Sequence, residues 1–586
     1  MHNSSITLKD SFKSYTYDQD KVYTPTETVR RFKERLQEVN LDILKEVRRI
    51  DNGRLDIPVY FSLCGKDAFA AIGNKKQMGK GSTPEQSQAS ACMELAERFS
   101  FFTFKKNPAN FINDTYANLK AQGQPLLPLE QMLQSVHDET TDVNTLEKLI
   151  ADLPIQWVWT TNITRNTEVL VPFTWFYAIN EFNGPSAGNT YEEAIIQGVC
   201  EIVERHVCAI ISYNRLKTPA IDIASVEDPV ARQLLAKFTK NGITLYLNDF
   251  TLDTGIPTVG AMAIDHSTFP ELSEIVFTAG TTPNPEKALI RALTEVAQLA
   301  GDFNTRANYV ASGLPKPLSL QEADYIVETD TEVRIDSMPD LNDNNLKVEI
   351  ERCLAALSRI NMEVYIVNTM HPDLQVPTIY TIVPGAHFRE RSMIKNAGLF
   401  AAKIVAEQIK DPLESISRLI EMKKILPKAY YLEFYLGRKL AALGRYDDAL
   451  ARLKSALTLD PQTEDTPYIY SYMGECLKDM GRYEEAISAL KLGIAFDNER
   501  PDLHNLLGFC NFKLNNFETA IQHFTKAVDL APASAIDYAN LGVNYQKLGK
   551  TDKAIQNFEL ALRLDSSIEF ARTGLARLQA GQGATS

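Results

Sequence analysis

Hydrophobic and polar positions follow two different patterns, one over the first part of this chain and one over the remainder. Over residues 1–425, short apolar runs such as Val59–Leu63 and Ile275–Thr278 alternate with stretches of helical periodicity such as Ala194–Cys208. Short runs rich in β-branched residues between turn signals indicate strands, and apolar residues at every third or fourth position indicate helices. The first region is therefore predicted to be an α/β (α+β) domain, whose strand order the pattern does not reveal.

The remainder of the chain carries a repeat of small residues. Leu/Met–Gly pairs recur at nearly even intervals, and an alanine follows each pair at a constant distance along the sequence. The pairs are Leu436-Gly437, Met473-Gly474, Leu507-Gly508 and Leu541-Gly542, and the alanines are Ala449, Ala486, Ala520 and Ala554. Small residues at such positions let two helices of a hairpin approach closely, while larger residues fill the seam to the next hairpin.

This spacing resembles the tetratricopeptide repeat, whose period is about 34 residues. Residues 428–582 are therefore predicted to form an all-α solenoid of about four hairpins, with Ile568–Gln579 as a terminal capping helix. Such arrays usually present a groove to a peptide or a protein partner. The alternatives are that the array only stabilises the fold, or that it mediates self-association, for instance as a homodimer.

A second repeat lies within the first region. Gly79–Phe99 matches Ser186–His206 position by position without a gap, and Pro285–Gln298 forms a weaker third copy. Each copy combines a loop of small residues with a helix that carries acidic and basic positions. The aligned sets are Ser90, Glu94, Glu97 and Arg98 in the first copy, Gln197, Glu201, Glu204 and Arg205 in the second, and Arg291, Glu295 and Gln298 in the third.

These polar positions each share one face of a helix, because residues three and four apart are neighbours on its surface. Solvated helices with ordinary charge pairs would show the same spacing. The apolar flanks, however, predict partial burial, and two carboxylates about 4 Å apart repel by roughly 4 kcal/mol at an effective dielectric near 20. Mg²⁺ relieves such repulsion, since it prefers a few carboxylates together with phosphate oxygens. The repeats therefore predict a metal–nucleotide site.

Composition and charge narrow the class of protein. Apolar residues make up 44% and charged residues 23% of the 586-residue chain, as in ordinary globular proteins. The net charge of −14 and the pI near 5.3 argue against nucleic acid as a partner. The N-terminus lacks the pattern of a secretory signal, no apolar stretch is long enough for a membrane span, and the seven cysteines include no CxxC pair. A cytoplasmic protein is predicted.

The three acidic stretches resemble the motifs of the YcaO family. The pattern SxxxExxER is present as Ser90–Arg98, a SAGN loop followed by QxxxExxER as Ser186–Arg205, and RxxxE as Arg291–Glu295. Val383-Pro384-Gly385 is similar to a late motif of the stand-alone members, and the similarity runs over residues 15–400. The N-terminal region thus looks like a YcaO-type domain built from pseudo-repeated helix and strand units.

The resemblance implies that ATP and Mg²⁺ are cofactors, and it assigns their ligands. The implied metal ligands are Glu94, Glu97, Glu201, Glu204 and Glu295. The implied contacts to the nucleotide or its phosphates are Lys21, Thr28, Lys80, Ser90, Ser186, Asn189, Gln197, Arg205 and Arg291. It does not specify a catalytic residue.

The resemblance also implies the reaction, which is ATP-dependent activation of a backbone amide in a peptide or protein substrate. The nucleophile then decides between an azoline, a thioamide and an amidine. Azoline-forming members typically end in a PxPxP tail, whereas this sequence ends in GQGATS. The expectation is therefore a stand-alone member with helical repeats, a group linked to methylthiolation of a ribosomal protein, or thioamide chemistry with a protein partner.

Two other classes of function stay open at this point. An adaptor could bind ATP without turnover and use it to regulate the repeats, and a ligase could use ATP on a small molecule. The complete set of carboxylates favours an enzyme over an adaptor, and the repeats favour a macromolecular partner over a small molecule.

Overall fold

The chain divides into two compact units, Met1–Ala397 and Gly398–Ser586. The computed structural model describes residues 5–73, 76–180, 182–300, 303, 317–388, 396–531 and 534–583. All described strands lie in the first unit, and the second is helical. The predicted fold class, an α/β domain followed by helical repeats, is confirmed. The predicted catalytic domain, residues 1–425, extends past this boundary by two helices, the first of which begins at the boundary residue Ala397.

The first unit alternates strands and helices. Its strands are β1 (Leu44–Arg49), β2 (Val59–Cys64), β3 (Lys76–Lys80), β4 (Ile112–Asp114), β5 (Ile155–Asn162), β6 (Thr167–Pro172), β7 (Pro185–Ala187), β8 (Ala220–Asp222), β9 (Thr244–Asp249), β10 (Thr258–Ile264), β11 (Val276–Thr281), β12 (Glu332–Arg334), β13 (Tyr365–Asn368) and β14 (Thr378–Ile382). Its helices are α1 (Pro25–Val39), α2 (Lys66–Ile72), α3 (Pro84–Lys106), α4 (Tyr116–Ala121), α5 (Leu129–Ser135), α6 (Val143–Ile150), α7 (Phe173–Asn180), α8 (Tyr191–Asn214), α9 (Pro229–Lys240), α10 (Pro285–Ala300), α11 (Asp324–Val327) and α12 (Leu346–Arg359), with α13 (Ala397–Gln408) at the unit boundary.

The described strands form three sheets. The first has the order β1-β2-β3, the second β11-β10-β9-β8-β12, and the third β4-β5-β13-β14-β7 with β6 paired to β5. All pairs are antiparallel except β8 with β12. One acidic helix follows directly after an outer strand of each sheet: α3 after β3, α8 after β7 and α10 after β11. The sequence repeat is therefore a strand-to-helix unit that occurs once in each sheet.

The three acidic helices begin in the same way. Thr83 accepts a hydrogen bond from the backbone N–H of Gln86 at 3.2 Å, and Thr190 accepts one from Glu193 at 3.2 Å. Asn284, at the third equivalent position, accepts one from the N–H of Lys287 at 3.0 Å. Short oxygen-bearing side chains stabilise helix starts because they satisfy backbone N–H groups that lack a partner within the helix. The alignment of the three copies thus includes the capping positions.

A glycine lets two of these helices lie against their own strand. A Cβ atom on Gly79 would come within 2.1 Å of the Ala91 backbone nitrogen in α3. A Cβ atom on Gly280, the equivalent position of the third copy, would come within 2.5 Å of the Ala292 backbone nitrogen in α10. Both neighbours are backbone atoms, which cannot turn aside. The close approach sets the distance of each helix from its own strand, and with it the position of the acidic face of that helix.

Replacing Gly79 by alanine is expected to lower the free energy of unfolding of the first unit by about 3 kcal/mol, since the helix must move away from the strand. Chemical denaturation followed by circular dichroism measures this value. Gly53→Ala is the control, because Gly53 has a φ of +81° but no atom within 4 Å of the place that a new methyl group would take. That change should cost only about 1 kcal/mol, the strain of a left-handed backbone. Equal losses would contradict the packing argument.

The second unit consists of stacked helices. After α13 come α14 (Pro412–Ile425), α15 (Tyr430–Ala442), α16 (Tyr446–Thr458), α17 (Thr466–Asp479), α18 (Tyr483–Phe496), α19 (Pro501–Lys513), α20 (Phe517–Leu530), α21 (Ala535–Lys547), α22 (Thr551–Leu564) and α23 (Glu569–Gly583). Each repeat glycine packs against the partner helix of its pair; a Cβ atom on Gly474, for example, would come within 2.4 Å of Leu490. No helix in the described ranges is long and apolar enough to cross a membrane.

Candidate active site

An elongated cavity of about 280 Å³ lies in the first unit between α3, α8, α10 and the segment that precedes α1. It is lined by Gln19, Lys21, Tyr23, Pro25, Thr28, Met78, Lys80, Gln86, Ala89, Ser90, Met93, Glu94, Glu97, Arg98, Ala187, Asn189, Glu193, Gln197, Glu201, Arg205, Arg291, Glu295 and Gln298. On α8 the lining residues recur at every fourth position from Glu193 to Arg205. At a rise of about 1.5 Å per residue, that face is about 18 Å long.

The α3 face supplies two half-buried carboxylates and an arginine. The Nε of Arg98 lies 3.4 Å from an oxygen of Glu97 and 4.0 Å from an oxygen of Glu94. Burial raises the pKa of Glu94 and raises that of Glu97 still further, although the charge of Arg98 opposes both shifts. Ser90 accepts a weak hydrogen bond from the backbone N–H of Lys80 at 3.4 Å.

The α8 face supplies the next carboxylate. Glu201 accepts a hydrogen bond from the backbone N–H of Gly184 at 3.3 Å, and burial raises its pKa while Arg205 and Arg98 oppose the rise. The negative charge of Glu201 also raises the pKa of Glu94 and of Glu97. The carboxylates of α3 and α8 are therefore close enough to interact electrostatically. Like-charged carboxylates disfavour each other's ionised form, and a divalent cation between them would offset that repulsion.

The third helix and β3 add cations. Arg291 donates through Nη1 to the side-chain oxygen of Gln197 at 2.9 Å. The ammonium of Lys80 contacts the carboxylate of Glu295. Burial, together with the positive charge of Arg291, lowers the pKa of Lys80. Cations and carboxylates therefore alternate around this end of the cavity.

Two of the predicted ligands do not line the cavity as it stands in the described part of the chain. Glu204 lies behind it, where it accepts a hydrogen bond from the Thr281 N–H at 3.2 Å and its oxygens lie 3.1 and 3.4 Å from Arg205 and Arg291. Its observed contacts orient the two arginines. Its role as a metal ligand stays a prediction.

Ser186 is the second predicted residue outside the lining. It is fully buried, and its hydroxyl donates to the carbonyl of Ala194 at 2.8 Å. Ser186 occupies the position equivalent to Gly79, so it faces the helix that follows its own strand. Here the hydroxyl fixes the strand-to-helix junction, and the nucleotide contact implied for it stays a prediction.

The other end of the cavity is built from hydrogen-bonding side chains. Thr28 donates to the Asn189 side-chain oxygen at 3.1 Å, and the Asn189 amide donates to Glu193 at 3.0 Å. Lys21 lies 3.6 Å from the same carboxylate of Glu193, which also accepts from the Val22 N–H. The sequence-predicted residues Lys21, Thr28 and Asn189 are thus brought together with those on the acidic helices.

Glu193 is a lining residue that the sequence reasoning missed. The alignment of the first two copies pairs it with Gln86, which also lines the cavity. Both residues occupy the first turn of an acidic helix, where each gives its N–H to the capping threonine. A polar residue at equivalent positions of the two copies was the signal that could have found them.

The donor set fits Mg²⁺ and a triphosphate. Oxygen ligands suit Mg²⁺, which takes one or two carboxylates and completes its coordination with phosphate oxygens and water. No three acidic, histidine or cysteine side chains among the described residues gather as a ready-made metal cage. The carboxylates fit a metal that shares its coordination with phosphate, and Lys80, Arg205 and Arg291 suit the phosphate charge.

Comparisons with known proteins agree with this geometry. The family model of the YcaO cyclodehydratases, described as binding ATP and Mg²⁺, matches residues 78–387, and tetratricopeptide-repeat models match residues 440–508 and 499–567. An uncharacterized protein of Methanothermobacter thermautotrophicus is 28% identical over 388 residues, which are 62% of this chain and 93% of the relative. An uncharacterized protein in the tfuA 3′ region of Rhizobium leguminosarum bv. trifolii is 26% identical, over 64% and 91% of the two chains.

A solved heterocyclase, in complex with substrate and cofactor, has a similar fold. Its TM-score is 0.52 at 24% identity, and the similarity covers 66% of this chain but only 55% of the heterocyclase. ATP and Mg²⁺ are the cofactors of the matched family, and the groups that line the cavity fit both. The family model spans just over half of the chain, including all three acidic helices. The protein therefore belongs to the YcaO family and carries tetratricopeptide repeats after its YcaO domain.

Proposed function

We propose that this protein uses ATP and Mg²⁺ to activate a backbone amide of a peptide or protein by phosphorylating the carbonyl oxygen. The observation that carries the proposal is the meeting of three acidic helices around one cavity. Glu94, Glu201 and Glu295, from distant parts of the chain, line the same space as the cations that would bind phosphate. The family match, to a cyclodehydratase described as binding ATP and Mg²⁺, supports the same reaction class.

The two ends of the cavity suit the two ends of ATP. Thr28, Asn189 and Glu193 offer neutral and acidic hydrogen-bonding groups, which suit the hydroxyls of a ribose. Lys80, Arg205 and Arg291 offer positive charge at the other end, where the triphosphate would lie. Glu204 holds both arginines from behind, so their charges are fixed before the nucleotide arrives. Fixed charges stabilise a transition state without the cost of reorganisation.

The reaction needs charge neutralisation and alignment more than it needs an acid or a base. A nucleophile adds to the amide carbon, and the former carbonyl oxygen takes the terminal phosphoryl group of ATP with ADP as the leaving group. Phosphate then leaves with that oxygen while a proton is lost, which forms the new double bond at the carbon. When bound, Mg²⁺ neutralises phosphate charge. The arginines and Lys80 would hold the phosphate oxygens, and the carboxylates Glu94, Glu201 and Glu295 would hold the metal.

Within this class we propose a sulfur nucleophile, so that the product is a thioamide or serves methylthiolation of a ribosomal protein. The repeats of the second unit supply a surface for a macromolecular partner or substrate, which fits modification of a protein better than modification of a metabolite.

Transfer of heavy oxygen tests the proposal. Peptide pools labelled with heavy oxygen in their backbone carbonyls are incubated with the protein, ATP, Mg²⁺ and sulfide, and the released phosphate is analysed by mass spectrometry. We expect label to appear in phosphate in the same amount as it leaves the peptide. The control is the Glu201→Gln variant, which should release none above background.

Other outcomes identify the competing functions. Phosphate release that depends on peptide but leaves all label in the peptide would contradict phosphorylation of the amide oxygen. Release that depends on a small-molecule acceptor would favour a ligase. ATP binding without phosphate release, in the presence of the partner captured by the repeats, would favour an adaptor.

A further inference from the structure

The segment before α1 forms one wall of the cavity although little apolar burial holds it in place. Gln19, Lys21 and Tyr23 line the cavity. Ile6 is buried, whereas Phe12 and Tyr17 are 59% and 51% exposed. The hydrophobic effect therefore contributes little to the position of this wall.

A short hairpin carries Lys21 within the wall. The N–H of Lys21 donates to the Tyr15 carbonyl at 2.9 Å, and the Ser14 N–H donates back to the Lys21 carbonyl at 3.0 Å. A two-stranded hairpin of this size is not stable by itself in water. Its position must be set by contacts to the rest of the unit.

Lys13 makes the most buried of these contacts. Its side chain is 2% exposed, and its ammonium donates to Asp20 at 2.8 Å, to Asn342 at 2.8 Å and to Glu349 at 2.6 Å. The Glu349 side chain, on α12, is 1% exposed and also accepts from the Asp343 N–H at 3.1 Å. All three ammonium protons are used, and the partners are Asp20 in the other arm of the hairpin, Asn342 in the segment before α12, and Glu349 on α12.

A buried ion pair of this kind does little for net stability, because desolvation of the two charges offsets their attraction. Replacement of both charges by well-packed apolar side chains is often neutral or stabilising. The pair instead fixes the orientation of the hairpin. Asp20, one of the three partners, is the neighbour of Lys21, so the contact fixes the backbone from which Lys21 reaches the cavity.

We propose that the Lys13–Glu349 pair is a positioning element that holds the Lys21 hairpin against the bound nucleotide. Neither residue is part of the cavity lining in the described chain. Glu349 instead lines a smaller space of about 40 Å³, which Asp20 and Lys21 also line. The inference rests on the nucleotide cavity described above and adds to it a pair that acts from outside.

Removal of the pair without loss of packing tests this role. The variants are Lys13→Met and the double variant Lys13→Met/Glu349→Leu, in which the buried carboxylate of Glu349 is not left unpaired and only Asp20, whose side chain is 18% exposed, loses its cation. The dissociation constant for ATP with Mg²⁺ is measured by calorimetry, the melting temperature by scanning, and backbone mobility by amide hydrogen exchange. If the hairpin holds its binding position for about a tenth of the time, affinity falls about tenfold.

We expect the double variant to melt near the native temperature, to bind ATP about tenfold more weakly, and to exchange the Ser14 and Lys21 amides faster. In turnover assays, KM for ATP should rise while kcat stays close to native. Asp265→Asn is the matched control: it breaks another buried pair, with Arg54, in the same unit and away from the cavity. That variant should keep native affinity for ATP.

A double variant that is stable, binds ATP as the native protein does and keeps its hairpin amides protected would overturn the inference. Equal weakening in Asp265→Asn would also overturn it, because the effect would then be general destabilisation. Failure of the native protein to bind ATP with Mg²⁺ would instead refute the nucleotide cavity itself, so the two failures are distinct.

Discussion

Replacing Glu201 by glutamine is expected to weaken ATP binding about 100-fold when Mg²⁺ is present, because one of the carboxylates that would hold the metal is lost. The reason lies in the position of this carboxylate. Glu201 is on the middle of the α8 face, within electrostatic reach of Glu94 and Glu97 and oriented by the Gly184 N–H. Glutamine keeps the size of the side chain but cannot neutralise a divalent cation.

The metal dependence of this loss distinguishes a ligand from a structural residue. With EDTA in place of Mg²⁺, Glu201→Gln should bind ATP as well as the native protein or better, because one negative charge near the phosphates is gone. Calorimetric titration in the two buffers gives both values. Glu85→Gln, at an exposed position in the first turn of α3, is the matched control and should bind normally. Equal losses with and without Mg²⁺ would remove Glu201 from the set of metal ligands.

Replacing Arg291 by methionine should give a loss of similar size with a different signature. Its guanidinium lies 3.4 Å from Glu204 and donates to Gln197 at 2.9 Å, so it is held in place before any ligand binds. A preorganised arginine gives strong charge-assisted hydrogen bonds to phosphate. We expect ATP affinity to fall about 100-fold in both buffers, because the lost contact is with phosphate rather than with metal.

A comparison of ATP with a ligand that lacks phosphates shows which part of the nucleotide Arg291 contacts. Adenosine, which has no phosphate, should bind Arg291→Met as it binds the native protein, and a competition titration with a fluorescent nucleotide measures both ligands. Arg359→Met, an exposed change near the end of α12, serves as the matched control. If adenosine and ATP lost affinity equally, Arg291 would act on the shape of the cavity and not on the phosphates.

Sequence periodicity predicted the acidic helices well because the copies of a repeat can be aligned with one another, so that equivalent positions are recognised within one sequence. The alignment of the three copies matched Glu94, Glu201 and Glu295, and the structure places all of them around one cavity. The same alignment also matches the capping residues and the tight glycines, which follow from local chain geometry. In the second unit, the spacing of glycine and alanine predicted the helix pairs for the same reason.

Contacts between distant segments were beyond the reach of periodicity. Nothing in the spacing of Glu204 shows that the Thr281 N–H and two arginines surround it, so its exclusion from the lining could not be foreseen. The wall formed by Gln19 and Tyr23 belongs to an irregular segment, which has no pattern to read. The helices α13 and α14 precede the repeat and lack its spacing, so the sequence did not separate them from the first region.

The cavity is lined by stretches of chain that are far apart in sequence, from the irregular segment before α1 to the helix α10. A molecule bound in the cavity holds these segments together, because it contacts elements that local unfolding would otherwise separate. By mass action, the fraction of time that the domain spends open falls as that molecule becomes more abundant. The resistance of this domain to proteases is thereby coupled to the supply of nucleotide around it.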